Sequence, residues 1–410
     1  MIHVCFAQYD GTGHYSKFTG TAMLSLFENH FVSPSLPSIT IHLLHDNTLS
    51  DENRDKFIYL AGKYNQLVNF YNVDELCADK ISEIKELFPT AAKTRYSIGM
   101  FYRFFIPQLL PKEIKKAIYL DSDTIIHLDI SEMWKIDLAD KPLGAINEVN
   151  ITSNPLQSFA DKFLVKNALV DCANYFNSGV LMMNLDYWRN NKEFVMTGFK
   201  FVSEHPEMTY IDQDILNYLF SENHVSLSVK FDTFIDKART THEIRPAIYH
   251  YFGDTLQLNI DDPFNRLWMD YFTKTPWFGI DTIHNFKNYI LKFGGVFLEQ
   301  MLKLSLIMSG KTRAFIVSTE HLEQVKKKFL VQNNEEFIVL KKNVMSQKLI
   351  DKIKAERGKK VFFGFVSDFP EVLKKAGLIE GEDFFNGFLF FPDVWYQFSF
   401  GNGYRIIKEL

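Results

Sequence analysis

Cysteine is scarce in this chain of 410 residues: Cys5, Cys77 and Cys172 stand far apart, with no Cys-x-x-Cys among them. That spacing offers neither a zinc pattern nor a disulfide framework, and it predicts a reducing, cytosolic location. A basic excess is missing too. With 45 Lys and Arg against 50 Asp and Glu, the formal net charge is −5, which argues against a general nucleic-acid binder because phosphate neutralisation needs a basic surface. No apolar run is long enough to span a bilayer. The chain enters the apolar stretch Ile2-His3-Val4-Cys5-Phe6-Ala7 with no basic region or cleavage site before it, so no secretory signal is expected. Tandem repeats and low-complexity tracts are also lacking. What is present is 46% hydrophobic and 23% charged, the balance of a globular protein with ample core.

Hydrophobic periodicity predicts alternating elements. Residues 2–8 read as a strand, 19–31 as a helix, 38–45 as a strand, 51–64 as a helix, 68–71 as a strand, and 99–110 as a helix ending before Pro111. Alternation of this kind implies a parallel α/β sheet. Beyond residue 310, strand-like segments at 314–318, 336–340 and 360–365, separated by Lys-rich helical stretches, predict a second, smaller α/β domain. Between the two, 280–309 is amphipathic and broken at Gly294-Gly295. It reads either as a linker or packing helix, or as a basic interfacial helix resting on a membrane.

The most informative segment is Lys116-Ala117-Ile118-Tyr119-Leu120-Asp121-Ser122-Asp123-Thr124-Ile125-Ile126, where a buried-looking strand runs into two carboxylates one residue apart. Two such acids at a strand end repel each other, and a cation is the economical partner. Hard oxygen ligands favour Mg²⁺ or Mn²⁺. An Asp-x-Asp alone is equally an exposed Asx turn. In parallel sheets, however, ligands bind beyond the carboxyl ends of the strands, and this turn lies there.

Other segments add to it. Gly11-Thr12-Gly13-His14-Tyr15-Ser16 after the first strand imitates a dinucleotide fingerprint, but Ser16 replaces the third glycine and two bulky rings crowd the loop. Tyr175-Phe176-Asn177-Ser178-Gly179-Val180-Leu181 sets a small polar trio before an apolar strand. Tyr210-Ile211-Asp212-Gln213-Asp214-Ile215-Leu216-Asn217 opens a helix that Asp212 is placed to cap. Ala247-Ile248-Tyr249-His250-Tyr251-Phe252-Gly253 ends a strand on an imidazole, which taken alone is usually structural.

In order, Tyr119-Leu120-Asp121-Ser122-Asp123, Phe176-Asn177-Ser178-Gly179-Val180-Leu181, Asp212-Gln213-Asp214-Ile215-Leu216-Asn217 and His250-Tyr251-Phe252-Gly253 resemble the retaining nucleotide-sugar glycosyltransferases of family 8 over roughly residues 1–277. The resemblance implies an α/β fold with a GT-A-type nucleotide-sugar-binding domain at 1–279, a Rossmann-like mixed sheet flanked by helices. An amphipathic helical linker at 280–310 and a C-terminal α/β domain at 311–410 follow. It implies Mn²⁺, with Mg²⁺ as the alternative, on Asp121, Asp123 and His250. Donor contacts are implied for Ala7, Tyr15, Arg103, Ser122, Asn177, Ser178, Asp212 and Gly253, with Gln213 beneath the anomeric carbon. UDP-galactose or UDP-glucose is the implied donor. A glycan or glycolipid is the implied acceptor, and loop 148–171 is expected to vary with it. The site of action would be the cytoplasm, with peripheral contact at the inner face of the plasma membrane.

Two departures from the family pattern stand out. The family commonly carries Lys-Pro-Trp soon after its late His-x-x-Gly, whereas here Gly253 is followed by Asp254-Thr255-Leu256-Gln257-Leu258. Lys274-Thr275-Pro276-Trp277 is not read as a displaced copy, because Trp268-Met269-Asp270-Tyr271 before it matches the helix that follows the family motif. The first loop is also longer, with Gly11-Thr12-Gly13 inserted. The missing lysine motivates a rival reading, a catalytically weak UDP-sugar-binding scaffold. A metal-dependent phosphoesterase is a second rival, but it leaves Asn177-Ser178-Gly179 and Asp212-Gln213 without a purpose.

Overall fold

The computed structural model describes residues 1–30 (except 12 and 14), 38–88, 98–252 (except 192 and 242), 262–279, 311–328, 335–340, 345–366 and 369–387. They fall into two compact units, Met1–Gly279 and Ile280–Leu410. The amphipathic stretch 280–309 and Gly253 lie outside the described residues.

In the first unit the strands are β1 (Ile2–Gln8), β2 (Ile39–His45), β3 (Leu67–Asn72), β4 (Lys116–Leu120), β5 (Thr124–His127), β6 (Leu143–Ala145), β7 (Val180–Asn184), β8 (Val225–Ser226), β9 (Thr233–Phe234) and β10 (Ala247–His250). Seven of them form one sheet in the order β3-β2-β1-β4-β7-β6-β8. The β3-β2-β1-β4 half is parallel, as the alternation predicted. β7 runs antiparallel to both β4 and β6, so the sheet is mixed. An apolar run such as Val180-Leu181-Met182-Met183 looks the same in either direction, and only the connection decides which one it takes. A second, three-stranded sheet, β5-β10-β9, grows from the far side of the Asp121 turn.

Local chemistry explains the flanking elements. The helix Asp51–Lys63 starts where Ser50 Oγ accepts from the Asn53 amide at 3.2 Å, with Asp51 and Glu52 in its first turn and Lys63 in its last, matching the helix dipole. The helix Ser16–Asn29 is buried along nearly its whole length and packs against β5, where Ser25 Oγ accepts from the Ile126 amide at 2.9 Å. Where residues 99–110 were predicted as one helix, the structure has a 3-10 helix, Ile98–Phe105, running into a short α-turn, Ile106–Leu109. Pro107 has no N–H to return to Arg103, so a continuous α ladder cannot pass through it.

The second unit is a four-stranded parallel sheet made of β11 (Thr312–Ser318), β12 (Glu336–Leu340), β13 (Lys360–Phe365) and β14 (Phe384–Asn386), in the order β12-β11-β13-β14. Across one face Phe337, Phe315, Phe363 and Phe385 stack side by side, with centroids 4.9, 5.6 and 5.7 Å apart. Both faces are apolar, as a parallel sheet requires.

Candidate active site

The acidic turn is held by backbone. Where β4 ends, the Asp121 amide donates to the Gly179 carbonyl at 2.8 Å, and Thr124 Oγ1 donates back to the Asp121 carbonyl at 2.7 Å. β5 leaves the turn and pairs with β10, setting His250 opposite Thr124. The Tyr251 amide donates to the Asp123 carbonyl at 2.9 Å. Asp121, Asp123 and His250 thereby offer one ligand atom each, all within 4.8 Å of one another. Two carboxylates and one imidazole suit Mn²⁺ or a similar divalent ion.

Charge is balanced from one side. Arg103 Nη2 lies 3.0 Å from Asp121 Oδ1 and 3.1 Å from Asp212 Oδ2, and Nη1 donates to the Ser178 carbonyl at 2.7 Å. Its guanidinium stacks on Tyr119, whose hydroxyl donates to Asp121 Oδ1 at 2.6 Å. Burial raises the Asp121 carboxyl above its ordinary value, Arg103 opposes that shift, and Asp123 adds to it. Burial likewise opposes the charged form of His250, but Asp232 and Asp123 outweigh it and hold the imidazole well above its usual pKa. An anionic cluster that retains protons in this way is one a divalent cation would relieve.

Gln213 sits deeper, at 6% exposure. Its Oε1 accepts from Asn177 Nδ2 at 2.9 Å and from the Ser178 amide at 3.1 Å. Its Nε2 donates to Glu148 Oε2 at 3.0 Å and to the Tyr175 hydroxyl at 3.3 Å. The amide is therefore fixed in one orientation. Behind it, Lys162 Nζ lies 2.5 Å from Glu148 Oε2, and Ser158 Oγ also donates to Glu148. Tyr175 donates to Asp214 Oδ1 at 2.7 Å, and burial pushes the Asp214 carboxyl up to about 7.

The first-strand exit joins the same region through a buried polar chain. Ser122 Oγ is 2.8 Å from Thr19 Oγ1, which donates to Gln8 Oε1 at 2.7 Å. Gln8 Nε2 donates to Ser16 Oγ at 3.2 Å, and Ser16 donates to Asp10 Oδ2 at 2.6 Å. Asp10 also accepts from the Tyr15 amide at 2.6 Å and from Asn53 Nδ2 at 2.9 Å. Asn53 Oδ1 in turn accepts from Trp277 Nε1 at 2.8 Å.

Of the residues singled out from the sequence, Arg103, Asp121, Asp123, Asn177, Ser178, Asp212, Gln213 and His250 come together here. Ala7 and Tyr15 belong to the first-strand exit, which Ser122 links to the acidic turn. Asp212 does not cap its helix: Tyr210 holds that place, and the Asp212 carboxylate pairs with Arg103. Lys274 pairs with Glu28 at 2.7 Å near the end of the helix Ser16–Asn29, beside Tyr271. Glu148, Lys162 and Asp232 were not foreseen as site residues, and Tyr175 and Asp214, though within the segments singled out, were given no role. Glu148 and Lys162 fall in the stretch expected to vary with the acceptor, and only their burial reveals them.

The family described as Glycosyl transferase family 8 matches residues 8–255. General stress protein A of Bacillus subtilis is 23% identical over 284 residues, covering 64% of this chain and 91% of that protein. The lipopolysaccharide 1,2-glucosyltransferase of Escherichia coli K12 is 28% identical over 212 residues, covering 49% of this chain and 58% of its own length. Among solved structures, the galactosyltransferase LgtC in complex with donor and acceptor sugar analogues superposes with a TM-score of 0.50 at 21% identity, covering 67% of this chain and 96% of that one. That last likeness shows the shared mixed-sheet α/β fold of the first unit.

Proposed function

The chain belongs to glycosyl transferase family 8, and on that premise we propose that it is a retaining, metal-dependent transferase. It moves galactose or glucose from a UDP-sugar to a hydroxyl of a glycan or glycolipid in bacterial surface-glycan synthesis. One observation carries the reading: the Asp121, Asp123 and His250 ligand atoms lie within 4.8 Å of one another, and Arg103 ties that cluster to Asp212 next to Gln213. The glucosyltransferase named above supports a hexose donor and a surface-glycan acceptor.

The residues divide the work by chemistry. Asp121, Asp123 and His250 would hold a divalent ion, which supplies Lewis-acid stabilisation of charge on the departing diphosphate. Arg103 presents a buried, permanently charged guanidinium between the cluster and Asp212 and so sets where the Asp212 carboxylate meets the donor sugar hydroxyls. Asn177 and Ser178 face the sugar from the β7 side, and the first-strand exit, Ala7 to Tyr15, receives the uridine.

Gln213 Oε1 already accepts two hydrogen bonds, which draws electron density from it and weakens it as a nucleophile. The arrangement therefore favours a short-lived oxocarbenium ion over a covalent sugar–enzyme intermediate. The C1–O bond to the diphosphate breaks, the acceptor oxygen bonds C1 from the same face, and its proton passes to the leaving phosphate oxygen. No separate strong base is needed.

The test is UDP release from a panel of UDP-sugars with Mn²⁺, Mg²⁺ or chelator, with the anomeric configuration of the product read by NMR. Release with one donor, dependent on metal and giving the α product, supports the reading. UDP binding without turnover across acceptors supports the scaffold alternative that the missing lysine after Gly253 motivates.

A further inference from the structure

We propose that Asp232 is a positioning residue for His250: its carboxylate pins the imidazole through Nδ1, so that Nε2 is presented to the Asp121 and Asp123 side as a ligand for a divalent cation. The inference rests on the metal reading above and deepens it. Asp232 Oδ1 lies 3.2 Å from His250 Nδ1, while Nε2 lies 3.4 Å from Asp123 Oδ1. With Nδ1–H donated to a carboxylate, the Nε2 lone pair is left for the ion, and the ring gains basicity as a ligand.

The surroundings fix the plane of the ring but not which nitrogen faces the acids. Phe252 stacks on His250 with centroids 4.3 Å apart and 20° between planes, and Phe234 meets His250 edge-on at 5.7 Å and 85°. Phe252 reaches that position at φ +50°, in the left-handed region that a bulky side chain rarely adopts. Neither ring distinguishes Nδ1 from Nε2. Asp232 does, because it is the acceptor on the side away from Asp123.

Asp232 is itself rigidly placed. It is fully buried, its amide donates to the Val229 carbonyl at 3.2 Å, and it directly precedes β9, which pairs with β10 so that His250 stands opposite Phe234. Its Oδ2 has no hydrogen-bond partner among the described residues. A carboxylate buried with one oxygen unsatisfied is a poor device for stability, and among the described residues its side chain hydrogen-bonds to the imidazole of His250.

The experiment is Mn²⁺ binding to the full chain, read as the loss of the free-ion EPR signal, for wild type, Asp232→Ala, Asp232→Asn and, as a ligand-loss control, Asp121→Ala. Asp232→Ala is expected to bind Mn²⁺ about 10–100-fold more weakly. Asp232→Asn keeps the shape but loses the charge, and is expected to fall between Asp232→Ala and wild type. Should the Ala variant not fold, the Asn variant carries the comparison alone. Affinity equal to wild type in the folded variants, with Asp121→Ala abolishing binding, overturns the role of Asp232 and leaves the metal site standing. No Mn²⁺ binding by wild type overturns both.

Discussion

Gly179 and His250 approach so closely that a Cβ on residue 179 would lie 2.3 Å from His250 Cε1 and 2.9 Å from Asp121 Oδ2. The absence of a side chain at 179 is thus what lets the imidazole and the first acid share one site. Gly179→Ala is expected to push His250 out of line and to lower metal-dependent turnover by more than tenfold. The overpacking itself costs about 1–3 kcal/mol of stability. Turnover and chemical denaturation measured together check this, and an alanine variant with wild-type turnover would contradict it.

Glu148 and Lys162 make a buried ion pair behind Gln213, each 3% exposed in its side chain. Removing one partner strands the other charge in the core, so Glu148→Gln is expected to cost about 3–5 kcal/mol of folding stability. The double variant Glu148→Gln with Lys162→Met should recover much of that loss. Urea denaturation of the two variants decides it. By contrast, Lys274→Ala, which breaks the exposed pair with Glu28, should cost no more than about 1 kcal/mol.

Asp214 predicts a pH dependence. Its carboxyl has an ordinary value of 3.8 and is pushed up to about 7 by burial in the fold. Between those values the native state binds more protons than the unfolded chain, so stability falls as pH rises through that window and is level above it. At its full extent the penalty is on the order of 4 kcal/mol at most. Asp214→Asn removes it while keeping an acceptor for the Tyr175 hydroxyl. With chelator present, the variant should match wild type near pH 4 and exceed it increasingly toward pH 8. Parallel stability curves for the two would contradict the assignment.

Trp277 acts at a distance from the acids. Its indole N–H holds Asn53, which holds Asp10, which closes the first loop on the Tyr15 amide. Trp277→Phe keeps a ring against Phe57, now 4.8 Å away, and removes the indole N–H together with ring atoms that pack on Gly20. A single hydrogen bond is worth about 1 kcal/mol, so KM for the donor is expected to rise about fivefold with kcat little changed. Steady-state kinetics over donor concentration would show it.

The parts legible in the sequence are those with a period or a local pairing rule. β1, β2 and β4 follow from apolar runs, and the Asp121 turn from its place after one of them. Strand direction at β7 was not legible, because its apolar pattern serves either direction. Asp232 was not legible either: a lone acid before a two-residue strand has no pattern, and its meaning comes from His250, which lies 18 residues away in the chain. For Asp212 the sequence left two readings open, a helix cap or a site residue, because an acid in a first helical turn suits both the dipole and a tertiary partner; the ion pair with Arg103 removes the cap.

The most direct test of the central claim is UDP release from UDP-galactose and UDP-glucose with Mn²⁺, comparing wild type with Asp123→Ala. The account predicts metal-dependent release by wild type that falls at least a hundredfold in the variant. Equal release by both proteins, or release by wild type that is indifferent to chelator, would contradict it.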